Sequence, residues 1–209
     1  MKLARFAQAA LFALSLTIAG SALADDAQGY IKTNHGSMTS LLKQPSSSSR
    51  DAQLSTLLDG MIDYEELTRR SFGEPCPAAV PTCTNHWKQL NDAQKTEITG
   101  LIKKLVQKNY KKNLVKTLEF DISYMGAKES SGEFRVKTEA KSKVKPRDPA
   151  VQVDYILKAN GSSYHVVDIV TEGSSLTKNY YDQFHKMLNT DGQGYPYIVT
   201  KVNKRINEI

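Results

Sequence analysis

The sequence predicts an α+β domain in which helices pack on one face of a curved, four-stranded antiparallel meander. Apolar residues recur with a helical period up to about residue 115 and alternate with polar residues from there to residue 171. The helical period returns after residue 175. Consecutive strands with short links form an antiparallel meander, and helices that flank such a sheet cover one face of it.

The first 24 residues have the pattern of a secretory signal peptide. Lys2 and Arg5 form a positive segment, residues 9–19 are apolar but too few to span a bilayer, and Ala22-Leu23-Ala24 matches an A-x-A cleavage site. We therefore expect cleavage after Ala24 and export of a single domain formed by residues 25–209. The alternative is an uncleaved N-terminal membrane anchor.

The charge balance is mildly basic. Removing Lys2 and Arg5 from 28 basic residues leaves 26, which against 22 acidic residues gives the exported chain a net charge of +4. This excess is consistent with solvated surface lysines or with attraction to an anionic membrane surface. An exported protein rarely meets nucleic acid, so we exclude nucleic acid as a partner.

The two cysteines, Cys76 and Cys83, lie in a proline-rich loop. In an oxidising compartment a close pair of this kind predicts a local disulfide. A C-x-x-C redox motif is absent from the sequence, and a zinc site would need more ligands than this loop offers.

Helices are predicted over residues 29–42, 54–62 and 87–115. Asp63 and Glu66 match a capping box at the start of a further short helix. Asn91 and Gln94 match a second capping box inside the longest helical region, whose apolar residues fall on one face.

Four segments alternate apolar and polar residues and predict the strands: residues 118–125, 134–138, 151–157 and 164–171. Asn160-Gly161 predicts the hairpin turn between the last two. Glu172-Gly173 ends the fourth strand, Ser174 or Ser175 can cap the next helix, and the final helices are expected over residues 175–188 and about 195–207.

Asp168 is a carboxylate among apolar neighbours in the predicted fourth strand. Strand alternation places it on one face with Val166 and Val170 unless a bulge intervenes. It is either a general base, with Tyr155 or Tyr164 polarising a carbonyl, or a structural residue bonded to backbone or to a basic side chain. A small-ligand enzyme or binding protein that uses Asp168 and a tyrosine is therefore our alternative function.

Other catalytic patterns are missing from the sequence. The four histidines share no H-x₃-H or H-E-x-x-H spacing, Ser174 lacks the second glycine of a nucleophile elbow, and no glycine-rich phosphate loop occurs. We expect no catalytic residues, no metal site and no cofactor.

Four segments resemble motifs of the MlaC family, the periplasmic phospholipid-binding proteins of ABC-type lipid transport, also called toluene-tolerance auxiliary proteins. The main one, from Val166 onward, is VVDIVTEGSSLTKNYYDQFHKML. The other three keep the family's order and are DYEELTRRSFG, HWKQLNDAQKTEITGLIKKLVQKNYKKNL and DGQGYPYIVTKVNKRI. The resemblance covers about residues 54–206.

The resemblance implies a cone like that of nuclear-transport-factor-like proteins, with an apolar cavity inside. It implies a carrier rather than an enzyme, with a role in outer-membrane lipid asymmetry. The implied partners are a phospholipid ligand, an inner-membrane MCE-domain/ABC transporter complex and an outer-membrane lipoprotein–porin component. Because close neighbours of the family are linked to hopanoid lipids, the lipid class stays open between phospholipid and hopanoid-type.

A carrier must bury the lipid tail, because each buried CH₂ group is worth about 0.8 kcal/mol and a chain of about 16 carbons on the order of 12 kcal/mol. Every apolar position that could line a cavity can equally belong to a packed core, and a filled core would instead indicate a structural or adaptor protein. The residues we expect to contact lipid are Leu101, Leu105, Phe120, Ile122, Phe134, Val136, Val153, Tyr155, Val166, Val170, Tyr181 and Phe184.

Cleavage after Ala24 predicts an exported protein that begins with Asp25. N-terminal sequencing of the periplasmic fraction should give Asp-Asp-Ala-Gln-Gly-Tyr. A membrane-bound protein that retains its first 24 residues would instead support the anchor.

Overall fold

The computed structural model describes residues 19–209. The first 18 residues of the predicted signal peptide, which covers residues 1–24, lie outside that range. Residues 19–209 form six α-helices and five strands. In chain order they are α1 Ala19–Leu42, α2 Ser48–Met61, α3 Tyr64–Ser71, α4 Asp92–Leu114, β1 Phe120–Ser130, β2 Glu133–Ser142, β3 Val151–Asn160, β4 Ser163–Thr171, β5 Ser174–Ser175, α5 Leu176–Leu188 and α6 Tyr195–Glu208.

The sheet is antiparallel throughout and keeps the chain order β1-β2-β3-β4-β5. The predicted α+β class and curved meander are confirmed, with one more strand than the predicted four. The extra strand exists because Glu172 and Gly173 both have positive φ, 49° and 76°, as in a type I′ turn. The chain therefore reverses tightly, and Ser174 pairs with Thr171.

The hairpin between β3 and β4 turns one residue later than predicted. Asn160 still pairs with Ser163, so Gly161 and Ser162 form the loop. Gly161 has a φ of 60°, and glycine with positive φ at the first loop position is typical of a type II′ turn.

Helix α1 begins ten residues before the predicted start at residue 29 and runs through the predicted cleavage site at Ala24. One stripe of the helix is buried, at Ala27, Ile31 and Met38. Their spacing of four and seven residues places them on the same side, where they meet the core. No helix within residues 19–209 is both long and apolar enough to cross a membrane.

Asp63 caps α3, but the predicted capping box with Glu66 is wrong. The Asp63 side chain accepts a hydrogen bond from the Glu66 N–H at 2.9 Å. The Asp63 N–H donates instead to the carbonyl of Val166 at 3.0 Å, which ties this segment to the edge of β4. The predicted capping box of Asn91 and Gln94 is confirmed at the start of α4.

The Glu66 side chain is the centre of a charge cluster that ties α3 to the sheet. Its carboxylate accepts hydrogen bonds from Lys158 at 2.7 Å, from Arg70 at 2.9 Å and from Arg69, and Arg70 also pairs with Glu133. Burial alone would raise the pKa of Glu66, but the hydrogen bonds from Lys158, Arg69 and Arg70 hold that pKa at about 2.

The hydrophobic core lies between the sheet and the helices. Residues of α1, α4 and α6 pack with one face of β2, β3 and β4 into one cluster. Its most deeply buried members include Ile31, Ile98, Ile102, Val136, Leu157, Val166 and Ile198.

Strand β4 contains a bulge at Val167. Val166 pairs with Leu157 and Asp168 pairs with Ile156, so two adjacent residues of β3 face three residues of β4. Val166 therefore belongs to the core face, whereas Asp168 and Val170 point to the opposite face. The bulge decides which side chains of the last long strand face the helices.

Cys76 and Cys83 form a disulfide, and the loop that contains it docks on α3 and α5. The Thr84 N–H donates to the Tyr181 hydroxyl at 3.0 Å. Gly73, at the end of α3, has a φ of 84°, and a Cβ atom added there would lie 2.6 Å from the Thr84 carbonyl oxygen. This close approach requires glycine.

Gly73→Ala should lower the free energy of unfolding by about 2–4 kcal/mol, because it combines a strained φ with a clash against backbone. Gly100→Ala is the matched control. Gly100 is helical with open space around it, so alanine there should stabilise by about 0.5–1 kcal/mol. Urea unfolding of both variants measures the difference, and equal effects would contradict the close approach.

Candidate functional site

An apolar cavity of about 300 Å³ lies between the C-terminal half of α4, strands β3 and β4, and the start of α5. Its apolar and aromatic wall consists of Val106, Tyr110, Leu114, Val153, Tyr155, Ile169, Leu176 and Tyr180. Asn109, Asn113 and Thr117 complete the lining. A cavity with this lining suits an apolar ligand.

The local structure explains how each wall forms. Val106, Tyr110 and Leu114 follow one another at four-residue intervals along α4, so they share one helix face. Leu176 and Tyr180 do the same in the first turns of α5. On the sheet side, Val153 and Tyr155 alternate along β3, and Ile169 pairs with Tyr155 from β4.

A buried polar cluster lies beside the cavity, on the same face of the sheet. The His35 ring nitrogens lie 2.9 Å from the Tyr124 hydroxyl and 3.0 Å from the Tyr155 hydroxyl. Burial lowers the pKa of His35 to about 4 and raises the pKa of Tyr110 to about 12. Burial also raises the pKa of Tyr155. These groups are therefore neutral at ordinary pH, and a wall of neutral, paired polar groups tolerates an apolar neighbour.

Two further cavities adjoin the apolar one. A groove of about 570 Å³ between α4, α5 and α6 shares Asn109, Leu176 and Tyr180 with it. A cleft of about 510 Å³ between α1 and β1 shares Thr117. The apolar cavity thus borders the groove between the helices on one side and the cleft between α1 and β1 on another.

Two of the twelve predicted lipid-contacting residues, Val153 and Tyr155, line the apolar cavity. Phe120 and Ile122 line the neighbouring cleft, and Leu105 lines the groove. The other core-facing positions are packed against protein in the main cluster: Leu101, Phe134, Val136, Val166 and Phe184.

Val170 and Tyr181 point away from the apolar cavity. Because of the bulge, Val170 opens to a cavity of about 830 Å³ on the opposite face of the sheet. Tyr181 accepts the hydrogen bond from Thr84 and stacks on His185, with ring centroids 5.4 Å apart. Tyr181 therefore anchors the disulfide loop.

Asp168 is a structural residue that holds the start of α5. Its Oδ1 accepts hydrogen bonds from the N–H groups of Ile169 at 2.8 Å and Thr177 at 3.0 Å, and its Oδ2 accepts one from the Ser175 hydroxyl at 2.6 Å. The same Ser175 hydroxyl accepts from the Lys178 N–H, which caps the helix.

The alternative site of Asp168 with a tyrosine is not assembled. Tyr155 lies on the core face of the sheet and contacts His35, and Tyr164, on that same face, donates to the carbonyl of Leu23 at 2.9 Å. Asp168 points to the other face. Within residues 19–209, no group of three or more His, Cys, Asp or Glu side chains is arranged to hold a metal ion.

Six of the eight apolar and aromatic wall residues are not among the predicted lipid contacts. Val106, Tyr110 and Leu114 carried a detectable signal, since their four-residue spacing marks one face of a predicted helix. Leu176 and Tyr180 carried the same signal at the start of α5. Ile169 carried none, because only the bulge places it on the cavity face.

A family model described as MlaC protein matches residues 32–204, which is most of the chain. The chain belongs to the MlaC family. The predicted resemblance is therefore confirmed. No match is found among the curated proteins compared with this MlaC-family chain.

Seven chains of solved structures match this MlaC-family protein. One is the phospholipid-binding protein from Ralstonia solanacearum in complex with a phospholipid. It is 19% identical, with a TM-score of 0.69 over 88% of this chain and 98% of that chain. At that identity the similarity establishes a shared fold.

The buried His35 should make the stability of this MlaC-family protein depend on pH. The pKa of His35 is about 4 in the folded protein against an ordinary 6.5, so the unfolded chain binds the proton first. The contribution is present above pH 6.5 and is lost as the pH falls towards 4. We expect it to amount to about 3 kcal/mol.

Urea unfolding of the wild type and of His35→Asn across this pH range measures the effect. The variant should lose less stability on acidification than the wild type does. His165→Asn, at a partly exposed histidine of β4, is the control and should keep the wild-type slope. Equal slopes in all three proteins would contradict the assignment.

Proposed function

We propose that this MlaC-family protein is a periplasmic carrier that holds a phospholipid with an acyl chain in the apolar cavity. The observation that carries the proposal is the cavity itself. It is lined by apolar and aromatic side chains, backed by a neutral polar cluster, and lies in a chain of the MlaC family. The Ralstonia solanacearum protein, which shares the fold, is in complex with a phospholipid.

The size of the cavity bears on how the lipid is held. At about 300 Å³ it is at the lower end for ligand pockets. We infer that a lipid tail uses the adjoining spaces as well, through the border at Thr117 or at Leu176 and Tyr180. Small movements of α1 or α5 relative to the sheet would join these spaces into one.

The carrier would perform no bond chemistry and require no cofactor. We propose that it passes the lipid between an outer-membrane lipoprotein–porin component and an inner-membrane MCE-domain/ABC transporter complex. Removal of residues 1–24 on export would leave residues 25–209 as the lipid-binding domain. An enzyme based on Asp168 is not favoured, because hydrogen bonds from β4 and α5 already occupy that carboxylate.

The direct test is native mass spectrometry of protein purified from the periplasm without detergent, with organic extraction of the same sample. We expect a phospholipid-sized adduct at one lipid per chain. A protein that is lipid-free as purified and stays so after incubation with liposomes would refute the carrier function.

Val153→Trp should fill the cavity and lower the lipid-bound fraction by at least about tenfold, because the indole occupies the space of the acyl chain. Val153 is partly exposed at the cavity wall, so the fold should remain intact. The measurement is lipid loading by native mass spectrometry, with a thermal melt to verify folding.

Val170→Trp is the matched control, because Val170 lies on the face of the sheet opposite to Val153 and the cavity. It should leave lipid loading unchanged. Val166→Trp differs again, since Val166 is 1% exposed in the packed core, and overpacking there should destabilise by about 1–3 kcal/mol or more. Loss of lipid in Val170→Trp with retention in Val153→Trp would contradict the site.

A further inference from the structure

The groove beside the apolar cavity is basic, whereas the cavity is not. Its α6 wall presents Lys201, Lys204 and Arg205, and Glu208 is the one acidic residue among the described residues that line it. Lys204 and Arg205 follow Lys201 by three and four residues, so all three side chains lie along one side of the helix. A basic groove next to an apolar cavity suits an amphiphile, because the groove can bind an anionic head group and the cavity an apolar tail.

The cationic side chains of this groove make few close ion pairs within residues 19–209. Lys204 makes one long ion pair with Glu208 at 3.7 Å, in which both side chains are at least half exposed. Lys201 lies over the ring of Tyr197 at 5.0 Å. Within residues 19–209, Arg205 has no carboxylate at ion-pair distance. These groups are therefore available to an anion.

Tyr180 marks the boundary between the two spaces. Its ring stacks on Phe184 at 5.6 Å and lines both the apolar cavity and the groove. Burial raises the pKa of the Tyr180 hydroxyl, and the positive charge of Arg205, which lines the same groove, opposes that rise. Tyr180 thus borders the apolar cavity and also the groove that Arg205 lines.

We propose that Lys201, Lys204 and Arg205 bind the phosphate of the lipid head group while the acyl chain enters the cavity past Tyr180. The proposal rests on the proposed carrier function and adds the position and chemistry of the head-group site. Guanidinium and ammonium groups suit phosphate oxygens, which arginine can contact in a bidentate way. The site would select lipids that carry a phosphate over neutral lipids with the same chains.

The cations of the groove are exposed to solvent, so they should affect which lipid is selected more than how tightly a lipid binds. Exposed ion pairs are weak singly, and three cations around one phosphate act as a network. The acyl chain supplies most of the binding energy through burial. Removal of the cations should therefore change which lipid is held before it changes whether a lipid is held.

The test is the variant Lys201→Gln/Lys204→Gln/Arg205→Gln, which removes three charges from exposed positions. Wild type and variant are incubated with vesicles containing equimolar phosphatidylglycerol and diacylglycerol of the same chains, and the bound lipids are counted by native mass spectrometry. We expect the wild type to prefer phosphatidylglycerol and the variant to lose that preference by about tenfold.

The control variant Lys128→Gln/Lys137→Gln/Arg147→Gln removes the same charge from exposed positions outside the groove and should keep the wild-type ratio. A groove variant with the wild-type ratio overturns the head-group site but leaves the carrier function intact. A wild type that loads neither lipid overturns the carrier function itself. Binding of inorganic phosphate without any lipid preference would assign the groove to free anions and overturn the head-group site.

Discussion

The bulge at Val167 is the constraint on which the arrangement of the site depends. One extra residue in β4 changes the face of every side chain that follows it, because strand side chains alternate. Val166 stays in the core, Ile169 joins the cavity wall, and Asp168 moves to the opposite face. There its carboxylate meets the start of α5 and accepts three hydrogen bonds. The helix that closes the cavity is thus positioned by the residue that the bulge excludes from it.

The cavity stays open because its walls are held from outside. Helix α4 packs through Ile98 and Ile102 into the main core, and its last turns, from Leu105 to Leu114, border the cavity and the groove. Helix α5 is fixed at its start by Asp168 and farther along by the disulfide loop, which Tyr181 binds. Both helices are therefore secured by contacts that a ligand need not supply. A site built in this way can lose its ligand without losing its fold, which a carrier requires.

The polar side chains beside the cavity are partly or fully buried, and they are uncharged at ordinary pH. His35, Tyr124 and Tyr155 are paired with one another, so none of them presents an unsatisfied group to the apolar space. The charged residues of the same region lie on α6 at the edge of the groove. The lining is thus mostly apolar in the cavity and charged in the groove next to it, as a lipid is apolar in its tail and charged in its head group.

The sequence by itself determined the fold class, the hairpin order, most helices and the family, because these depend on periodicity, turn residues and motifs that are local in the chain. It also identified Val153 and Tyr155 as candidate wall residues. Only the tertiary structure decided which apolar residues are packed and which border a cavity. Val136 and Val153 are both β-branched residues on the same sheet face, yet one meets the core and the other empty space. Periodicity predicts which face of a strand is buried, whereas the space beside that face depends on how distant helices are held. Here the bulge in β4 turns Asp168 towards the start of α5, and the hydrogen bonds of Asp168 hold that helix.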